Sequence, residues 1–138
     1  MAHAPWSERL SDDLLRSGLG VSWISTLAIH RGRDRAVAID NVRRFHEIGG
    51  RVRYGTDMGN GPTPVGVSAA EIRALGSAGL RGDDLLLALC GDSARLPPPA
   101  RLLAARRPLP TSAEEAIDWL THARRLDVVG SMGVEGHP

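Results

Sequence analysis

The sequence predicts an α/β fold with parallel strands, forming part of a larger α/β unit. Val21 to Leu27 is a β-branched and aromatic run that reads as a buried strand, and Arg51 to Tyr54 reads as a second, short strand. Between them Asp34 to Ile48 has helical periodicity, with Ala38, Val42, Phe45 and Ile48 on one face. Strands that alternate with helices imply parallel pairing and a crossover connection. A parallel sheet needs both faces covered and its edges managed. Two or three strands cannot do this alone, so the pattern predicts a segment of a bigger sheet.

The elements follow in order. Ser7 to Ser17 reads as a helix with Leu10, Leu14 and Leu15 at helical spacing, stopped by Gly18. After the first strand, Ile29 to Arg35 is polar and reads as a loop. Asp34 is placed to cap the central helix, and Gly49-Gly50 ends it. The second strand runs into Gly55-Thr56-Asp57 and a loop with Gly59, Gly61, Pro62 and Pro64. Ser68-Ala69-Ala70-Glu71 is a capping box that opens a helix with Ile72 and Leu75 inward. A further helix is predicted from Asp83 to Leu96, broken by Pro97-Pro98-Pro99. Arg101 to Ala105 reads as a strand. Thr111-Ser112-Ala113-Glu114 reads as a second capping box, opening a helix with Ala113, Ile117 and Leu120 inward. Gly130 to Pro138 reads as a frayed tail. Residues 1–96 form one expected unit and 97–138 a C-terminal extension.

Composition narrows the function classes. The 138 residues suit one modest core. All 17 basic residues are arginine, they are interspersed with acids, and net charge is +1. This gives no basic groove for nucleic acid and no attraction to an anionic membrane. No apolar run approaches the ~18 residues needed to span a bilayer. The N-terminus has no signal-peptide pattern, so a cytoplasmic location is expected. The single cysteine, Cys90, sits in an apolar run and is expected to be a buried structural thiol.

Chemistry is expected at Asp57. A carboxylate at the C-terminal end of a parallel strand, in a glycine-rich turn, suits metal ligation or proton transfer. It equally suits an aspartate that caps its own turn. His30 either faces a substrate or stands in solvent. His46 lies among core positions and is expected to be structural, whereas His122 and His137 are expected in solvent. Trp6 is placed to line a mouth above a strand end, and Trp23 to fill the core. Asn60, Arg33 and Arg35 are either substrate contacts or solvated polar groups.

The segment from Asn41 to Gly59, with its helix, Gly49-Gly50 stop, short strand and Gly55-Thr56-Asp57, resembles the seventh helix and eighth strand of the amidohydrolase superfamily, imidazolonepropionase-like members in particular. Ala2-His3-Ala4 followed by Leu10-Ser11-Asp12-Asp13 is similar to their sixth-strand histidine segment. Ser25-Thr26-Leu27 is similar to the end of the seventh strand, and Glu71 to Leu96 to their paired helices. The resemblance covers about residues 2–96. It implies a partial (β/α)8 TIM barrel comprising the sixth to eighth strands with flanking helices. It implies metal-dependent hydrolysis of non-peptide C–N bonds in small or cyclic amides, with zinc, iron or manganese in the intact family. Asp57 would then be a metal ligand and the base toward the attacking water, and His3 a metal ligand.

The chain departs from that pattern. It has no His-x-His pair, no lysine and no histidine before His3. The β-sandwich region is reduced to Ala100–Ala105. The resemblance therefore implies a truncated or split form that pairs with a missing N-terminal half. The other readings are an inactive fragment and an interaction module that self-associates or pairs through an open sheet edge.

Overall fold

The computed structural model describes residues 3–58, 66–91, 102–104 and 106–126. The elements are α1 (Asp12–Ser17), β1 (Ser22–Ile24), a 3-10 turn (Leu27–Ile29), α2 (Gly32–Glu47), β2 (Arg51–Arg53), α3 (Ala69–Ser77), α4 (Gly82–Cys90), β3 (Leu102–Ala104), α5 (Ala113–His122) and β4 (Arg124–Leu126). β1 and β2 pair in parallel, with Ser22 opposite Arg51, Trp23 opposite Val52 and Ile24 opposite Arg53. The chain thus contains a parallel strand–helix–strand unit, as the sequence predicts, within a mostly helical fold. β3 and β4 form a separate antiparallel pair, and β4 has no clear sequence signal. Among the described residues, no helix is long and apolar enough to cross a membrane.

The core forms where α2 covers one face of the sheet. Trp23 on β1 stacks on Phe45 of α2, with ring centroids 3.9 Å apart and planes 5° from parallel. Both are buried, together with Leu15, Ala38, Val42 and Val52. Ile72, Leu75 and Leu80 extend this core toward α3 and α4. Ile48 does not complete the predicted stripe; it is exposed at the end of α2. There Gly49 turns left-handed at φ 89, and the Gly50 N–H returns to the Phe45 carbonyl at 2.8 Å.

Gly50 is needed for its size. A Cβ there would lie 2.4 Å from the Phe45 ring, which is pinned under Trp23. At Gly55 a Cβ would lie 2.2 Å from Ile24 Cγ2, the branch methyl of a partly exposed side chain with more room to turn than the Phe45 ring. We therefore expect Gly50→Ala to destabilise by about 1–3 kcal/mol, as overpacking does, and Gly55→Ala to cost less. Chemical denaturation of the two variants checks the order.

Several boundaries differ from those predicted. The first strand ends at Ile24, because Thr26 takes a left-handed conformation (φ 46, ψ 36) that stops extension and starts the 3-10 turn. α1 begins only at Asp12, capped by the Ser11 hydroxyl; described residues 3–11 form neither helix nor strand, so the expected sixth strand is not seen at His3. α2 begins at Gly32, without a side-chain cap; Asp34 sits inside its first turn. The box that opens α5 is shifted by one residue. Ser112 caps the Glu115 N–H, and Glu115 reaches back to the Thr111 N–H at 2.8 Å and its hydroxyl at 2.9 Å. Glu114 is thereby free to bind Arg73 of α3, at 2.6 and 3.0 Å. Cys90 is exposed rather than buried, since it ends α4 beyond the last turn that packs inward. α4 ends at Cys90, short of the predicted Leu96, because Gly91 takes a positive φ of 79; residues 92–96, the tripeptide Pro97–Pro99, Asn60, His137 and the tail lie outside the described residues.

Candidate functional site

The C-terminal ends of β1 and β2 lie side by side. Ser25 N–H donates to the Arg53 carbonyl at 2.8 Å, and Thr26 N–H to the Gly55 carbonyl at 3.1 Å. The loops that leave the two strands are therefore tied together past the last paired residues. Asp57 follows β2 in this corner, half-buried, in a left-handed conformation at φ 53. Aspartate tolerates that region better than most residues. Thr56 beside it is buried.

His3 reaches the same corner from the N-terminal segment. Its Nδ1 lies 3.1 Å from the Thr26 hydroxyl. Such a contact orients an imidazole and leaves Nε2 as the nitrogen available to a ligand. His30 follows the 3-10 turn and stacks on Trp6, with centroids 5.0 Å apart at 28°. Its Nε2 is buried and has no hydrogen-bond partner among the described residues. Burial lowers the His30 pKa; the nearby His3 adds to the shift and Asp34 opposes it. The structure thus brings His3, His30 and Trp6 together at the end of β1, and Asp57 at the adjoining end of β2.

The His30 shift has a pH consequence. A histidine with a lowered folded pKa favours its neutral form in the folded chain. Its contribution to stability is full above the unfolded value of 6.5 and is lost as pH falls through the lower folded value. We expect His30 to titrate below 6.5 by NMR. We also expect His30→Asn to lose less stability than the parent chain on acidification from about pH 7 to about pH 5.

Two buried polar side chains hold this corner in place. Glu71 is fully buried; its Oε1 accepts the Leu27 N–H at 2.9 Å and its Oε2 the Ala28 N–H at 2.6 Å. The carboxylate therefore caps the 3-10 turn from the first turn of α3. Ser68 caps the Glu71 N–H, so half of the predicted box is present. The other half is replaced: the Ser68 N–H donates to the Tyr54 hydroxyl at 2.7 Å. Asn41, also fully buried, ties α2 to the N-terminal segment. It accepts the Leu10 N–H at 2.9 Å and donates to the Pro5 and Glu8 carbonyls at 3.0 and 2.8 Å. Arg44 adds a bond to the Leu10 carbonyl at 2.7 Å and an ion pair with Asp12, whose pKa it lowers by hydrogen bonding and charge.

Sequence reasoning did not single out Glu71 or Asn41 as site supports, yet both carry a signal. Glu71, Ala74, Leu75 and Ala78 share one helical face, as do Ala38, Asn41, Val42 and Phe45. A polar residue on an inward face must find partners inside the protein.

The remaining predicted residues lie elsewhere. Arg33 is exposed and Arg35 half-buried in the first turns of α2, and His122 is exposed on α5. His46 lies 3.4 Å from Asp84 and links α2 to α4. Partial burial raises the Cys90 pKa, which disfavours a nucleophilic thiolate. Among the described residues, no group of three or more His, Cys, Asp or Glu side chains is placed to hold a metal ion. No protein-family model, curated protein or solved structure matches the chain.

Proposed function

We propose that the chain is the C-terminal part of an amidohydrolase-like (β/α)8 barrel. In this reading it contributes His3 and Asp57 to metal-dependent hydrolysis of C–N bonds in small or cyclic amides. The observation that carries the reading is the parallel pair β1 and β2, with Asp57 in the loop that leaves β2 and His3 held by Thr26 at the end of β1. Barrel enzymes build their sites at the C-terminal ends of adjacent parallel strands. A second feature supports the same reading. Trp23 and Val52 point toward α2, so Ser22, Ile24, Arg51 and Arg53 share the opposite face, where Ile24 is 37% exposed. That face would line the interior of a closed barrel.

The residues present do not fit a metal ion unaided. A zinc site takes three protein ligands and a water, and this chain offers His3 and Asp57. The completing ligands would come from a partner that carries a His-x-His strand. The experiment is to supply such a partner from the neighbouring coding sequence and assay a panel of cyclic amides with added zinc, manganese or iron. We expect metal-dependent turnover only with both chains, lost in Asp57→Asn. Turnover that survives Asp57→Asn, or its absence with both chains and every metal, would refute the reading.

A further inference from the structure

We propose that the outer edge of β2 docks a short extended peptide segment with an acid–apolar–acid pattern. Among the described residues β2 is paired on one side only. Because the Arg53 carbonyl accepts from β1, the main-chain groups of Arg51 and Arg53 turn toward β1 and those of Val52 turn outward. Beyond that edge is a cavity of about 450 Å³, lined by Arg51, Val52, Arg53, Leu80, Asp84 and Leu87 among others. An extended segment laid along β2 would satisfy the Val52 N–H and C=O, as in strand addition to an exposed sheet edge. The Tyr54 N–H donates to the Ala88 carbonyl of α4 at 2.9 Å, which closes the edge after Val52. The segment is therefore short, with one residue in register with Val52.

Charge and apolar surface select the occupant. The residue facing Val52 meets Leu80 and Leu87 and is apolar. Its two neighbours fall beside Arg51 and Arg53, which share one face of the strand. Among the described residues neither arginine makes an ion pair. The carboxylates that also line the cavity are engaged, Glu47 with Arg43 at 2.7 Å and Asp84 with His46 at 3.4 Å. Opposite charges across strands stabilise and like charges repel. A second copy of β2 would set arginine against arginine, so the occupant is a different, acidic segment.

The test is fluorescence anisotropy of the full chain with a labelled Gly-Glu-Val-Glu-Gly peptide and its Gly-Lys-Val-Lys-Gly counterpart. We expect saturable, salt-sensitive binding of the acidic peptide. Two cross-strand charge pairs predict about ten-fold weaker binding of the basic one. The double variant R51E/R53E is expected to reverse the preference. If that variant does not fold, the Val52 amide resonance of the parent chain decides, and it is expected to shift with the acidic peptide. Equal binding of both peptides, displacement by inorganic phosphate at similar concentration, an unreversed preference in the folded variant, or an unmoved Val52 amide would each overturn the proposal. Peptide binding needs no metal and is tested on the chain alone; in a closed barrel the same edge of β2 would pair with a strand of the partner, so peptide and partner would compete for it.

Discussion

Glu71→Ala is expected to destabilise the chain by about 3–5 kcal/mol, since it strands one buried and one half-buried N–H group and leaves a void. Leu27 and Ala28 would lose their acceptor at 2.9 and 2.6 Å, and the first turn of α3 would lose its link to the end of β1. A loss of this size is a large share of the 5–15 kcal/mol that holds a typical domain together. Glu71→Gln keeps one carbonyl oxygen but turns an amide N–H₂ toward a backbone donor. Its expected cost is intermediate, about 1–3 kcal/mol. Urea denaturation followed by circular dichroism separates the two. A cost for Glu71→Ala below about 1 kcal/mol would show that the carboxylate does not support the turn. The same substitution should loosen the segment from Thr26 to His30, so the stacking of His30 on Trp6 is expected to weaken with it.

Asn41→Ala is expected to cost about 2–4 kcal/mol, because three main-chain groups lose their partner. The effect should be concentrated at the N-terminus. Pro5, Glu8 and Leu10 are held by this one side chain, and Arg44 retains only the Leu10 carbonyl. Hydrogen exchange is therefore expected to rise in residues 3–10 before it rises in α2 or β2. His3, which depends on that segment to reach Thr26, should then lose its contact with the Thr26 hydroxyl. Uniform exchange across the chain would instead place the role of Asn41 within α2 itself.

These two residues also show what was legible in the sequence and what was not. The strand–helix–strand order followed from local patterns: β-branched content at Val21 to Leu27, a helical stripe at Ala38, Val42 and Phe45, and the Gly49-Gly50 stop. Local pattern also placed Asp57 at a strand end. It failed where a distant partner overrides a local rule. Ser68 and Glu71 have capping-box spacing, but the Glu71 carboxylate binds a turn 43 and 44 residues away, and Tyr54 takes the vacated N–H. In the same way the 3-10 turn at Leu27–Ile29 depends on Glu71, so the sequence around it still read as strand and loop. The shift of the α5 cap from Thr111 to Ser112 has a similar origin, since Arg73 of α3 claims Glu114. His30 beside His3 could not be read from spacing, because the N-terminal segment must first fold back onto α2.

In the proposed function His3 and Asp57 are two ligands of one incomplete metal site. Titration of the full chain with zinc, followed by the imidazole resonances of all its histidines, tests it most directly. We expect weak, saturable binding that moves His3 first, with Nε2 as the ligating nitrogen, and that is weakened to a similar degree by His3→Ala and by Asp57→Asn. Zinc that leaves the His3 resonances in place, or that binds Asp57→Asn as well as the parent chain, would contradict it.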